Sequence, residues 1–228
     1  MQQNNPYAAP QSVVTGARVT GERAAAVLRN TYMLLGMSLA FSAAMAWYAM
    51  ASGVSYINVW LTLGVYIATL IFTNVMRNSA WGILGVFALT GWLGFTTGPI
   101  VGMFMQSAAG SQIVTMALAS TAVIFVVMSG IALVTKKDFS FMTNFLMVGL
   151  IVAFLCGLGA IIFEMPALSL AVSGAFVLLS SLLIMWQTSA IIHGGETNYI
   201  MATVTLFVSI YNLFLSLLHI LSALSGDD

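Results

Sequence analysis

Charged side chains are nearly missing from this chain. Lys and Arg number six, Asp and Glu six, and together they make up 5% of 228 residues. Soluble domains carry about 25%, so a water-facing surface could not be covered and a soluble globule is excluded. The net charge of zero leaves no basic field for a phosphate backbone, which excludes nucleic acid as a partner. Cysteine occurs once, at Cys156, which rules out an intrachain disulfide and a cysteine-built metal cluster. Only two histidines are present, His193 and His219, too few and too far apart to form a metal site together. His193 and Glu196 stand three apart, but Gly194-Gly195 breaks the helix that would align them. No G-x-S-x-G, H-E-x-x-H or P-loop pattern occurs. Neither an enzyme nor a bound cofactor is expected.

What remains is apolar. Hydrophobic residues make up 61% of the chain, and its mean hydropathy is +1.03. A helix needs about 20 mostly apolar residues to cross about 30 Å of hydrocarbon. Seven runs qualify, at 31–51, 56–76, 81–105, 112–134, 143–163, 167–190 and 201–223. They are separated by turn or charge signals such as Ser52-Gly53, Arg77-Asn78-Ser79, Lys136-Lys137-Asp138 and His193-Gly194-Gly195-Glu196. A transmembrane barrel would need short alternating segments, which are not seen. Ala44-Met45-Ala46 resembles a leader cleavage site, yet the apolar run continues to Ala51, so the first run is read as a retained span. The expected fold is an all-α integral membrane protein of seven transmembrane helices at 29–228, embedded in a lipid bilayer and preceded at 1–28 by a flexible polar tail.

Basic residues gather in cytoplasmic loops. Arg18, Arg23 and Arg29 precede the first run, Arg77 follows the second, and Lys136 with Lys137 follows the fourth. With seven spans, a cytoplasmic N-terminus puts all six on the cytoplasmic side and the C-terminus outside.

Two polarity patterns stand out within the spans. Gly91, Gly94, Gly98 and Gly102 are spaced three, four and four apart, so they form one small-residue stripe on the third span. Close helix packing is the preferred reading, with a flexible gate at Gly98-Pro99 as the alternative. On the seventh span Thr205, Ser209, Asn212, Ser216 and His219 share a face, and the sixth carries Ser169, Ser173, Ser180 and Gln187. Polar faces in lipid turn inward. They serve either interhelical hydrogen bonds or a cavity bordered by Gln187, Thr205, Ser209, Asn212 and Ser216. No Asp, Glu, Lys or Arg lies well inside any span, which argues against a proton-coupled pump or a voltage sensor.

Several segments resemble the Bax inhibitor-1 family of seven-helix membrane proteins. Gly94-Phe95-Thr96-Thr97-Gly98-Pro99-Ile100 followed by Thr121-Ala122-Val123-Ile124-Phe125 looks like its signature. Leu28-Arg29-Asn30-Thr31-Tyr32, Lys137-Asp138-Phe139-Ser140-Phe141, His193-Gly194-Gly195-Glu196-Thr197-Asn198-Tyr199-Ile200 and Tyr211-Asn212-Leu213-Phe214 resemble its bacterial YccA-type branch. That branch implies a bacterial inner-membrane protein that binds the membrane-anchored, ATP-dependent zinc protease FtsH and restrains it, zinc and ATP belonging to the partner. Other members are implied to leak calcium in a pH-dependent way through two aspartates. The matching positions here read Gln187 and Ser209, neither of which titrates near neutrality or offers the charge a hard cation prefers. A calcium or cation leak is therefore the alternative expectation, a regulator of an FtsH-type protease the first.

Overall fold

The computed structural model describes residues 11–226 apart from Tyr56 and Ala108, with side chains described from residue 21 onward. Seven α-helices follow one another: α1 (Gln11–Ala51), α2 (Val59–Val75), α3 (Ala80–Met105), α4 (Gly110–Thr135), α5 (Thr143–Ile162), α6 (Pro166–Ile192) and α7 (Tyr199–Ser225). A single turn of 3-10 helix, Ser140–Met142, leads into α5.

Each of the seven apolar runs is a helix, and local chemistry sets several ends. Asn58 caps α2 by accepting a hydrogen bond from Trp60 N–H at 2.8 Å. Pro166 opens α6, where its missing N–H costs nothing. Gly194 and Gly226 take left-handed φ values of 74° and 70° after α6 and α7. α1 starts earlier than its apolar run. Residues 1–10 of the expected tail lie outside the described residues, whereas the backbone from Gln11 to Leu28 is helical and continuous with the first span. No proline follows Pro10 until Pro99, so nothing stops the helix from propagating outward from its apolar part.

Six helices are long and apolar enough to cross a membrane; α2, with 17 residues, is the shorter apolar one. At 1.5 Å per residue α2 reaches only about 25 Å, at the lower limit for a span. α3 and α7 lie at the centre. Val86, Leu89 and Leu93 of α3 pack with Val204, Phe207, Ile210 and Leu213 of α7 and with Leu34 and Leu35 of α1. The outside carries exposed Trp47, Ile71, Val126 and Leu155. In water such a surface would aggregate; against lipid chains it is matched to its solvent. This is a membrane protein.

Candidate functional site

Among the described residues, two cavities flank the central pair of helices. The larger, about 520 Å³, is walled by α2, α3, α5, α6 and α7 and receives Thr205, Ser209 and Asn212 from α7. Thr62 and Tyr66 of α2 add hydroxyls from the other wall, Tyr211 of α7 contributes its ring, and the rest is Leu, Val, Phe and Met. No charged side chain lines it, so a cation inside would meet only hydroxyl and amide dipoles. Gln187 and Ser216, the other two residues expected there, are buried but are not part of its wall. Gln187 is 2% exposed and its Nε2 has no hydrogen-bond partner among the described residues. The Ser209 hydroxyl donates back to the Thr205 carbonyl at 2.8 Å, a local bond that conceals its polarity within the helix. Further along the two helices the stripes meet directly: Ser173 Oγ of α6 lies 2.8 Å from His219 Nδ1 of α7. The inward polar faces thus serve a helix-to-helix bond at one level and a cavity wall at another.

The glycine stripe of α3 lies against α1. A methyl group built on Gly98 would overlap the Ala46 carbonyl and sit 2.8 Å from Ala49 Cβ. On Gly94 it would overlap the Ser42 carbonyl, on Gly91 it would lie 2.6 Å from the Phe41 ring, and on Gly102 3.1 Å from Met50 Cγ. Gly94 and Gly98 thus meet α1 backbone, a close approach of the kind small residues permit, while Gly91 and Gly102 make room for side chains. Gly94 and Gly98 also border the second cavity, about 320 Å³, between α1, α3, α4 and α7. Tyr211 lines both cavities, and its hydroxyl lies 3.3 Å from Thr97 Oγ1. The seventh-span pattern did not single out Tyr211, because a tyrosine counts as apolar in a periodicity count.

One end of the bundle is tied together by its connections. Asn198, the residue before α7, uses its whole amide. Oδ1 accepts from Ile200 and Met201 N–H at 3.0 and 3.1 Å, while Nδ2 donates to the Arg77 carbonyl at 2.9 Å and Asn78 Oδ1 at 3.0 Å. That joins the α6–α7 connection to the α2–α3 connection. The Ser189 hydroxyl of α6 donates to the Lys137 carbonyl at 2.9 Å and accepts from Phe139 N–H at 3.2 Å, joining the α4–α5 connection to α6. Trp186 Nε1 donates to Thr143 Oγ1 at 2.9 Å, tying α5 to the same region. On the α4–α5 connection, hydrogen bonds from the Ser140 hydroxyl and backbone hold the Asp138 carboxyl below the usual carboxylate range, with attraction to His193 adding to them. Residue spacing showed no partner for His193, and Asn198 stood out only as part of a motif. Their partners lie up to 121 residues away, beyond the reach of any spacing rule.

Residues 24–226 match the family model described as inhibitor of apoptosis-promoting Bax1. A Pseudomonas aeruginosa protein is 44% identical over 226 residues, 99% of this chain and 100% of its own length. The Escherichia coli K12 protein named modulator of FtsH protease YccA is 44% identical over 201 residues, covering 88% of this chain and 91% of that one. Its counterpart in Escherichia coli O6:H1, equally similar over the same share of both chains, is named inner membrane protein YccA. The matched region takes in all of α2 to α7, both cavities, the glycine stripe and the tied end of the bundle, and on that breadth of agreement the chain belongs to the Bax inhibitor-1 family.

Proposed function

We propose that this protein is an inner-membrane regulator that binds an FtsH-type, membrane-anchored, ATP-dependent protease and restrains it without chemistry of its own. The observation that carries the reading is the 44% identity to the modulator of FtsH protease over 91% of that protein's length. In this reading all seven helices span the membrane, α2 as the shortest. The tied end, with Arg77, Lys136 and Lys137 on its connections and Arg23 and Arg29 at the same end of α1, lies in the cytoplasm. The C-terminus is then periplasmic.

Restraint follows from unequal resistance to unfolding. Residues Gly21, Glu22, Arg23, Ala25 and Ala26 of α1 are exposed, whereas Thr31, Leu34, Leu35 and Ser38 are buried. A protease that pulls from the N-terminus would unravel the first stretch cheaply and then stall where α1 packs on the glycine stripe. The N-terminal segment is the handle and the bundle is the brake. Co-purification in mild detergent with the protease probed directly tests the binding. Deleting residues 2–22, which keeps Arg23 and Arg29 for insertion, is expected to lengthen the protein's half-life in cells that contain the protease. An unchanged half-life with topology verified would remove the handle from this account.

A second reading, a cation leak, draws on the cavity that Thr205, Ser209 and Asn212 line. Neutral dipoles alone favour at most a weak passage, which ion flux in liposomes measures.

A further inference from the structure

One imidazole holds the α4–α5 connection onto the end of α6. His193 follows α6 directly, and its ring nitrogens face two different backbone oxygens. Nδ1 lies 2.9 Å from the Ser189 carbonyl oxygen, and Nε2 lies 3.1 Å from the Lys136 carbonyl oxygen. Carbonyl oxygens only accept. The third polar neighbour, Ser189 Oγ, lies 3.3 Å from Nδ1, but its single proton is directed at the Lys137 carbonyl at 2.9 Å. Toward the ring, then, the hydroxyl also offers a lone pair. Every one of these neighbours is an acceptor, so each nitrogen needs its own proton to bond. A neutral imidazole carries one N–H and the imidazolium two.

We propose that His193 is a pH-responsive clasp: as the imidazolium it bonds the Lys136 carbonyl to the last turn of α6, and on losing the Nε2 proton it gives up that bond and leaves the α4–α5 connection held to α6 through Ser189. The Nδ1 bond lies within the final turn of α6 and is the shorter of the two, so the neutral ring keeps its proton there. Charged groups surround the ring. The C-terminal carbonyls of α6 form the negative end of its dipole. Asp138 on the α4–α5 connection is the anion that attracts the ring, Lys136 and Lys137 on that connection oppose it, and the α6–α7 connection carries Glu196. The Glu196 carboxylate accepts the Asn198 N–H at 2.7 Å. Lys136 itself sits at φ 50°, a left-handed conformation uncommon for a residue with a side chain, so the connection has somewhere to relax when the clasp opens. The sign is fixed by the proton count: the doubly protonated ring makes both bonds, and the neutral ring makes only one.

The full-length protein in lipid nanodiscs tests this with two readouts across about pH 5.5 to 8.5. Nitrogen-15 NMR of labelled histidine, with His193→Gln to assign the signal, reports the protons on each ring nitrogen. Hydrogen exchange of the peptide from Lys136 to Met142, corrected for intrinsic rates, reports how firmly the connection is held. The expected result is a doubly protonated ring at the acidic end, then loss of the Nε2 proton together with a roughly fivefold fall in Phe139 amide protection, the equivalent of one hydrogen bond of about 1 kcal/mol. His193→Gln should show no pH step. A singly protonated ring at the acidic end, or the same step in His193→Gln, would overturn the proposal. The titration of the unmodified protein decides it even if the variant folds poorly.

Discussion

A methyl group added at Gly98 would compete for space with the Ala46 carbonyl, whereas one added at Gly130 would meet nothing within 4 Å. The same substitution should therefore have opposite signs at the two sites. Gly98→Ala is expected to destabilise by about 1–3 kcal/mol through overpacking against backbone that cannot give way. Gly130→Ala should be neutral or stabilise by up to about 1 kcal/mol through helix propensity. Thermal unfolding in detergent checks both. The spacing of the stripe was legible in the sequence, because three- and four-residue intervals fix a helix face. Its partner was not, because nothing in α3 names α1 as the helix it meets. At Asn198, replacement by Asp would keep the cap on α7 but remove the Nδ2 donor to Arg77 and Asn78. We expect a loss of about 1–3 kcal/mol, read from the same unfolding measurement. Asp138 gives the α4–α5 connection a pH dependence on the acid side. Its carboxyl is lowered from 3.8, so the support it gives the α4–α5 connection is complete above that value and is lost as pH falls through the lowered range. Amide exchange at Ser140, whose N–H is bonded to Asp138 at 2.9 Å, should quicken there relative to its intrinsic rate and stay slow above.

At the scale of elements, the seven apolar runs and the seven helices coincide closely, because in a membrane protein length and hydropathy dictate the helix. α1 departs from this. Its apolar run begins at Thr31, but the helix begins at Gln11, since helix continuation depends on the absence of a breaker rather than on hydropathy. α2 departs the other way: Asn58 caps it and Met76 ends it, leaving the shortest of the seven. The larger cavity was half legible. Thr205, Ser209 and Asn212 share a wall. Ser216 does not join them, because the polar face of α7 runs further along the helix than one cavity, and Gln187 does not, because α6 reaches this cavity through Phe176 and Leu183. Thr62, Tyr66 and Phe154 came from helices whose polarity gave no signal. These walls hold no carboxylate, so calcium flux through the native protein in liposomes should be small and flat between about pH 6 and 8. Ser209→Asp places a titratable group on the wall and should introduce a pH step. A steep step in the native protein would favour the leak reading over the regulator.

For the whole molecule, the connections after α2, α4 and α6 meet at one end through Asn198, Ser189 and His193, and the described basic residues belong to that end. A periplasmic-type reporter fused after Asp228 should be active, and one inserted between Lys137 and Phe141 inactive. A cytoplasmic C-terminus would mean that one helix, most simply the short α2, does not span. The purified protein should be reconstituted with an FtsH-type protease in the same lipid vesicles, and degradation of an unrelated membrane substrate followed with ATP present. Degradation should slow as the ratio of this protein to protease rises, and the two should co-purify from the vesicles in mild detergent. An unchanged degradation rate at a large excess of this protein, with no protease retained on it, would mean that it neither binds nor restrains the protease.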